Sequence, residues 1–296
     1  MGASDFIASP SVISYAGRKG VDLADIAKQT GRTTLAREDV DYFLDGAASP
    51  ARQDDSRYWA VDHAASGPVS EEALPRIARV AADNLSAANR MIPQVTHHDR
   101  ADMRAVEALR KRLRPEADAR GLRLTALAFH VKALALCLED FPRFNTSLSA
   151  DGERLVRKHY VHVGIAVDTP HGLMVPVIRH ARRKGLWAIA ADIADLAGKA
   201  QARKLRPEEM GGASMSISNL GGIGGTAFTP IVNPPEVAIL GITRTETVPV
   251  WEDEAWQPVP MAPLDLSYDH RVINGADAAR FLARYTHLLA DPRRML

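Results

Sequence analysis

The sequence Asp269-His270-Arg271-Val272-Ile273-Asn274-Gly275-Ala276 separates a predicted strand, residues 263–268, from a predicted helix, residues 276–289. Its histidine is surrounded by charged and amide side chains, which can fix an imidazole tautomer as a general base requires. A lone histidine in such a stretch is more often structural than catalytic. The surrounding sequence therefore has to decide its role.

Helix and strand patterns alternate from Leu74 to the C-terminus. Apolar residues at helical spacing predict helices over residues 77–88, 105–112, 126–141, 186–202 and 276–289. Strands are predicted over residues 94–98, 162–167, 172–178, 214–220, 237–242 and 263–268. The mixture predicts an α/β fold with both element types in one domain, residues 73–296, and no internal repeat.

Composition excludes several classes of protein. The chain has 37 Lys and Arg against 36 Asp and Glu, a net charge of +1, so we expect neither nucleic-acid nor membrane binding. The single cysteine, Cys137, lies in an apolar run and is expected to be a buried hydrophobic residue. No apolar segment is long enough to cross a membrane, and the first five residues begin neither a signal nor a transit peptide. We expect a cytoplasmic protein.

The N-terminal part has a different organisation. After a tail, residues 1–7, a small helical unit is predicted over residues 8–45, with helices at 9–19 and 37–43 joined by a loop around Gly31. Residues 46–72 are rich in Ala, Ser, Pro, Asp and Gly and are predicted to be a linker. The pair Tyr58-Trp59 is its exception, because two rings can dock on a neighbouring core.

Two motifs are set aside. The sequence Gly222-Ile223-Gly224-Gly225-Thr226-Ala227 matches a dinucleotide-binding pattern, but Pro230, Pro234 and Pro235 preclude the helix that this pattern requires. The sequence His97-His98-Asp99, and His159 with His162, offer metal-binding side chains. Neighbouring strand residues point to opposite faces, however, and no Cys or His cluster at ligand spacing completes a site. We predict no metal site.

The sequence Ser214-Met215-Ser216-Ile217-Ser218 has one apolar and one hydroxyl face when it forms a strand. Its serines either face solvent or form the wall of a polar channel. The glycines and prolines of residues 221–235 follow directly, and they let the backbone pass close to a ligand. Chemistry alone leaves both interpretations open.

Six blocks of sequence occur in an order that resembles one enzyme family. They are QVTH (94–97), FNTSL (144–148), GIAVDTP (164–170), ISNLG (217–221), IVNPPEVAILG (231–241) and DHRVINGA (269–276). Together they resemble the catalytic domain of the dihydrolipoamide acyltransferases of 2-oxo acid dehydrogenase complexes, closest to the pyruvate type. The resemblance implies a chloramphenicol-acetyltransferase-like fold, with a mixed sheet packed against helices, and a trimer with the active site in a channel between subunits.

The resemblance also implies the reaction and its residues. His270 corresponds to the base that takes a proton from coenzyme A, and Ser218 to the hydroxyl that stabilises the oxyanion, during acetyl transfer between coenzyme A and dihydrolipoamide. Asn274 stands where the family usually has Asp, so it can orient a neighbour by hydrogen bonding but carries no charge. Asp168 and Thr229 correspond to residues that line the substrate channel.

Residues 8–45 resemble a degenerate form of the family's peripheral subunit-binding domain. Ile13-Ser14 and Gly17 stand where the family has basic residues. Because those basic residues bind the decarboxylase and dihydrolipoamide dehydrogenase components, their loss makes both partners doubtful. No lipoyl domain precedes residue 8, so the lipoyl group is expected from another chain or from a removed domain.

Two alternatives to acyl transfer between dihydrolipoamide and coenzyme A are kept. The chain is a structural core that organises a 2-oxo acid dehydrogenase complex, or it acylates a small acceptor other than lipoamide. The C-terminal sequence Asp291-Pro292-Arg293-Arg294-Met295-Leu296 resembles a tail that inserts into a neighbouring trimer to form a 24-subunit cube. Its alternative is a frayed end.

Overall fold

The computed structural model describes residues 6–30, 34–44, 60–170 and 172–295. The chain divides into two units, Met1–Glu72 and Ala73–Leu296. Most of the predicted linker, including Tyr58-Trp59, lies outside the described residues. The docking of these two rings therefore stays a prediction.

The described part of the first unit has three α-helices where the sequence predicted two, and a 3₁₀ helix at His63–Ser66. Its elements are β1 (Ile7–Ala8), α1 (Pro10–Lys19), α2 (Leu23–Thr30), β2 (Thr34–Leu35) and α3 (Arg37–Leu44). The prediction missed α2, which has only eight residues and two buried apolar side chains, Leu23 and Ile26. These pack with Val12, Leu35 and Val40 into a small core. The predicted loop residue Gly31 lies outside the described residues.

All five predicted helices of the second unit are present. They are α4 (Arg76–Met91), α5 (Arg104–Ala119), α6 (Ala126–Asp140), α7 (Leu186–Gln201) and α8 (Gly275–Ala290). Helix α5 extends past its predicted end at residue 112 and contains Pro115. Helix α6 is buried on most faces, as predicted, and Cys137 within it is fully buried. Burial raises the pKa of the Cys137 thiol, so it is held as an unreactive core side chain.

The helices pack against a mixed sheet, as predicted. The strands of the second unit are β3 (Gln94–Asp102), β4 (Thr146–Leu148), β5 (Leu155–Arg157), β6 (Val163–Ile165), β7 (Val177–Ile178), β8 (Met215–Asn219), β9 (Ala238–Ile242), β10 (Glu246–Glu252) and β11 (Ala255–Asp269). The main sheet has the order β10-β11-β9-β8-β6-β7, and β3 pairs with β11 as well. Strands β6, β8 and β9 run parallel, and the other pairs of the main sheet are antiparallel.

Three strands were not predicted. Strands β4 and β5 form a separate two-stranded sheet of three residues each, too short for a clear alternation. Strand β10 pairs with residues 255–261 of β11, well before the predicted start of that strand. This half of the hairpin is mostly exposed and contains Pro249, Pro258 and Pro260, which hide the strand pattern.

The C-terminal segment is not a frayed end. Residues Pro292–Met295 form a short 3₁₀ helix, and Met295 is only 1 % exposed within the main core. Met295 packs on its own chain in this structure, whereas Leu296 lies outside the described residues. Among the described residues, no helix is both long and apolar enough to cross a membrane.

Candidate active site

His270 lies immediately after the last residue of β11, at an exposed position. Its backbone N–H donates a hydrogen bond to the carbonyl oxygen of Pro93, at 3.0 Å, which ties this turn to the start of β3. Its ring lies 5.9 Å from the ring of Tyr268, centroid to centroid. The backbone of His270 is thus held in place, while its imidazole ring stays accessible for proton transfer.

The charged neighbours of His270 pair with each other. Asp269 is buried and accepts hydrogen bonds from the backbone N–H of Arg271, at 3.0 Å, and from its Nη2, at 2.7 Å. This hydrogen bonding raises the pKa of the Arg271 guanidinium. The ion pair fixes the turn on which His270 stands, and neither charge is directed at the imidazole by these bonds.

Asn274 caps the last helix. Its backbone is extended, with φ −94° and ψ 165°, and its Oδ1 accepts a hydrogen bond from the backbone N–H of Asp277, at 2.8 Å. This is the usual geometry of an N-cap residue. The side chain of Asn274 therefore holds the start of α8, four residues from His270.

The three serines near β8 have different surroundings. Ser214 and Ser216 are buried, so the solvent-facing interpretation is wrong for both. Ser214 donates a hydrogen bond to the carbonyl of Tyr160, and Ser216 donates one to Glu236. Ser218 is half-buried, and its Oγ makes no hydrogen bond with any other described residue. Of the three hydroxyls, that of Ser218 is the one left free to bind a ligand.

Glu236 is a buried carboxyl that the sequence did not single out. Its Oε1 accepts a hydrogen bond from Ser216 Oγ at 2.9 Å, and its Oε2 has no partner among the described residues. Burial raises the pKa of Glu236 to about 7, although the Ser216 hydrogen bond and the charge of Lys158 oppose this shift. The only signal in the sequence is a carboxylate between Pro235 and an apolar strand, which is an unusual position for an acid.

The register of the sheet separates Ser218 from His270. Ser218 pairs with Gly241, and Gly241 pairs with Asp265 of β11, so these three residues form one row across three strands. His270 lies five residues beyond Asp265 along the chain. If the chain stayed extended to His270, at about 3.3 Å per residue and 4.8 Å per strand, this register would place the Cα atoms of Ser218 and His270 roughly 19 Å apart.

That separation decides what one chain can do. An oxyanion donor lies about 3 Å from the substrate oxygen and a general base about 3 Å from the attacking atom, so both must lie within roughly 8 Å of each other. Ser218 and His270 of one chain do not meet this condition. A site that uses both requires Ser218 from one chain and His270 from another.

The structure places Asp168 near the Ser218 end of the sheet. Asp168 is exposed and lines a cavity of 220 Å³ together with Asn219, the residue after Ser218, and apolar residues such as Ile165 and Leu196. His270 does not border this cavity. A larger cavity, of 460 Å³, borders α5 and contains none of the predicted site residues.

Thr229 lies in the segment of residues 221–235, which contains neither helix nor strand. This agrees with the prediction that residues 222–227 do not begin a dinucleotide-binding helix. Thr229 is exposed and follows Phe228, whose ring lies over Gly241, the neighbour of Ser218 in its row. Thr229 thus belongs to the loop whose Phe228 ring packs beside the Ser218 row.

The histidines considered as metal ligands have other contacts. The ring nitrogen Nδ1 of His98 lies 2.6 Å from Oδ1 of Asp265. The ring nitrogen Nδ1 of His162 accepts a hydrogen bond from the backbone N–H of His180. Within residues 6–30, 34–44, 60–170 and 172–295, no group of three or more His, Cys, Asp or Glu side chains could hold a metal ion.

Comparison with known proteins places this geometry in a family. Residues 66–296 match the model of the 2-oxoacid dehydrogenases acyltransferase catalytic domain. The chain is 45 % identical over 298 residues to the dihydrolipoyllysine-residue acetyltransferase component of the pyruvate dehydrogenase complex of Pseudomonas aeruginosa, and 44 % identical over 299 residues to that of Azotobacter vinelandii. Both alignments cover 98 % of this chain but 54 % and 47 % of the relatives, so the chain spans about half their length.

Solved structures agree with the family and the fold. A crystal structure of the Azotobacter vinelandii dihydrolipoamide acetyltransferase, from work on the role of a serine, a histidine and an asparagine in its catalytic mechanism, superposes with a TM-score of 0.78 at 49 % identity. The superposition covers 79 % of this chain and 97 % of the solved chain. The cubic core of a pyruvate dehydrogenase multienzyme complex matches with the same TM-score and coverage at 50 % identity. The chain belongs to the 2-oxoacid dehydrogenase acyltransferase family and contains its catalytic domain.

Proposed function

We propose that the chain transfers an acetyl group between dihydrolipoamide and coenzyme A. The observation that carries this proposal is the free hydroxyl of Ser218 and the accessible ring of His270, placed so that neighbouring chains have to combine them. The serine, histidine and asparagine investigated in the Azotobacter vinelandii enzyme have the same spacings along the chain as Ser218, His270 and Asn274.

In the proposed reaction, neutral His270 removes the proton of the coenzyme A thiol as its sulfur attacks the thioester carbonyl of acetyl-dihydrolipoamide. Ser218 Oγ donates a hydrogen bond to the oxyanion that forms, an interaction typically worth about 3 kcal/mol. The carbon–sulfur bond to the lipoyl group then breaks. The imidazolium of His270 returns its proton to the departing thiolate, so the base is regenerated.

The remaining site residues have supporting roles in this proposal. Asn274 fixes the start of α8 and with it the turn that carries His270. Asp168 lies at the Ser218 end of the sheet beside Asn219, and Thr229 follows Phe228 in the loop next to the Ser218 row; we propose that both contact the arm of one thiol substrate. Both are polar and exposed, which suits the amide-rich arms of coenzyme A and lipoyl-lysine.

We further propose a homotrimer in which each active site lies between two chains. The apolar residues of α4 support this, because Ile77, Val80, Leu85 and Met91 recur on the helix yet are 36 % to 55 % exposed on the single chain. Such a surface is expected to be covered in the assembled protein. A cube of 24 subunits is proposed from the similarity to a solved cubic core.

The lipoyl group is proposed to arrive on a lipoyl domain outside the described residues. The small N-terminal unit presents Ile13, 55 % exposed, where basic residues would bind partner enzymes. We therefore propose that recruitment of the decarboxylase and dihydrolipoamide dehydrogenase through this unit is weak.

Transfer of acetyl from acetyl-coenzyme A to free dihydrolipoamide, and to a separate lipoyl domain, tests the function. We expect activity with both acceptors, and a loss of at least a hundredfold in His270→Ala while the assembly mass is unchanged. Equal rates for the two proteins would exclude the mechanism. No transfer to any thiol would favour a structural core, and transfer only to small alcohols would favour a different acceptor.

A further inference from the structure

A second histidine lies on the Ser218 face of the sheet, held by a buried carboxylate. The row that contains Ser218, Gly241 and Asp265 continues to His98 on β3, so it crosses four strands. Residues paired in this way have their side chains on the same face. His98 is therefore aligned with Ser218 and not with His270.

The exposed imidazole ring of His98 contacts the buried carboxylate of Asp265. The distance from Nδ1 of His98 to Oδ1 of Asp265 is 2.6 Å, and the two side chains are 52 % and 1 % exposed. A carboxylate this deeply buried is stabilised by hydrogen bonds to its oxygens. Because an ionised carboxylate only accepts hydrogen bonds, we assign the proton to Nδ1 of His98, which then donates one of them.

The other oxygen of Asp265 holds the loop beside Ser218. The backbone N–H of Phe228 donates a hydrogen bond to Asp265 Oδ2, at 3.3 Å. Among residues 225–231, Phe228 is the one that hydrogen-bonds to another part of the described chain. The Asp265 carboxylate thus connects β3 to the loop of residues 225–231, which makes no other hydrogen bond to the rest of the described chain.

Gly241 makes room for this arrangement. A Cβ added at Gly241 would lie 2.7 Å from two ring carbons of Phe228 and 3.1 Å from Cβ of Asp265. The Phe228 ring therefore rests on the backbone of Gly241, one strand away from Ser218. A ring in this place forms a wall next to the hydroxyl that would bind the thioester oxygen.

We propose that His98 and Asp265 form a positioning pair that fixes Phe228 beside Ser218 and so limits the size of the acyl group that the site accepts. This inference rests on the proposed acyl transfer. The imidazole acts through Nδ1 by orienting the carboxylate, and the carboxylate orients the backbone of Phe228. The pair touches no reacting atom.

Three substitutions of His98 separate this role from others. An asparagine places its amide nitrogen where Nδ1 of histidine lies, whereas a glutamine places it near Nε2. We expect His98→Ala to lower kcat for acetyl-coenzyme A about tenfold, the effect of a small misplacement at a site. It also lowers the preference for acetyl- over isobutyryl-coenzyme A about tenfold, the low end of the discrimination that a pocket achieves per methylene. His98→Asn restores both values, and His98→Gln restores neither.

A double-mutant cycle of His98→Ala and Phe228→Ala tests whether His98 affects selectivity through Phe228. If the pair acts through Phe228, His98→Ala adds nothing to the loss of selectivity in Phe228→Ala, because the wall is already absent. Asp265→Asn, which keeps the side-chain volume, is the second variant when His98→Ala does not fold. It should show the same loss of selectivity with an unchanged assembly mass.

Unchanged kcat and selectivity in both His98→Ala and Asp265→Asn would overturn the proposal. Full rescue by glutamine and none by asparagine would also overturn it, because the ring would then act through Nε2. An inactive wild-type protein in the same assay would instead contradict the proposed function.

Discussion

Ser218 lies in the row that joins it to Asp265 two strands away, and His270 lies five residues beyond Asp265 along the chain. With the chain extended to His270, strand geometry places the Cα atoms of Ser218 and His270 roughly 19 Å apart. A proton acceptor and an oxyanion donor this far apart do not act on one thioester. The register of a single chain thereby predicts an active site shared between chains.

Ser218 and Ser216 should respond in opposite ways to replacement by alanine. Within the described part of the chain Ser218 Oγ makes no hydrogen bond, and in the proposed reaction it stabilises the oxyanion, so Ser218→Ala lowers kcat by about a hundredfold or more. Its unfolding free energy should change by less than about 0.5 kcal/mol. Ser216→Ala removes the hydrogen bond to buried Glu236 and costs about 1 to 3 kcal/mol of stability.

Steady-state kinetics and urea unfolding at one protein concentration check both variants. Each serves as the control for the other, because they lie two residues apart on β8. A Ser218→Ala protein with wild-type kcat would remove this residue from the mechanism.

Asn274→Asp should be tolerated and Asn274→Ala should not. Asp and Asn are about equally good N-cap residues, and a carboxylate at a helix N-terminus is favourable. Alanine loses the hydrogen bond to the N–H of Asp277 and costs about 1 kcal/mol. Thermal unfolding of the two variants measures this. Equal destabilisation by both substitutions would show that Asn274 does more than cap α8.

Glu236 should make stability fall as pH rises. Burial raises its pKa from the usual 4.5 to about 7 in the folded protein, so the folded state binds more protons than the unfolded state between these values. The contribution of Glu236 to the free energy of unfolding is fully present below about pH 4.5 and is lost as pH rises through about 7. A shift of this size corresponds to about 3 kcal/mol.

The variant Glu236→Gln isolates this contribution because it does not titrate. Its unfolding free energy relative to the wild type should increase between pH 4.5 and pH 8 by an amount of that order, measured by urea unfolding. Parallel pH profiles for the two proteins would contradict the assignment.

The sequence predicted the long elements of the second unit better than its edges. Helices α6 and α8 and strand β9 have strong apolar patterns because most of their residues are buried. Strand β10 contains Pro249, and all its residues are exposed or half-buried, so its sequence has no clear apolar pattern and only its pairing with β11 identifies it. Helix α2 is stabilised by the small core of the first unit rather than by its own eight residues.

The sequence suggests candidate site residues where a local motif contains them. His270 and Ser218 lie in distinctive blocks, whereas Asp265 looks like an ordinary strand acid and Glu236 is marked only by its position between Pro235 and an apolar strand. Their roles come from burial and from partners far along the chain, namely His98 and Ser216. Such pairings depend on the register between strands, which the sequence of one strand alone does not determine.

The most direct test of a shared site is complementation between two inactive variants. Ser218→Ala and His270→Ala chains are unfolded together in equal amounts, refolded, and assayed for acetyl transfer to dihydrolipoamide. If each site takes Ser218 from one chain and His270 from another, about a quarter of the sites in randomly mixed assemblies are intact, and activity returns to that fraction of wild type. Activity that stays at the level of the separate variants, in assemblies shown by mass to be mixed, would contradict the account.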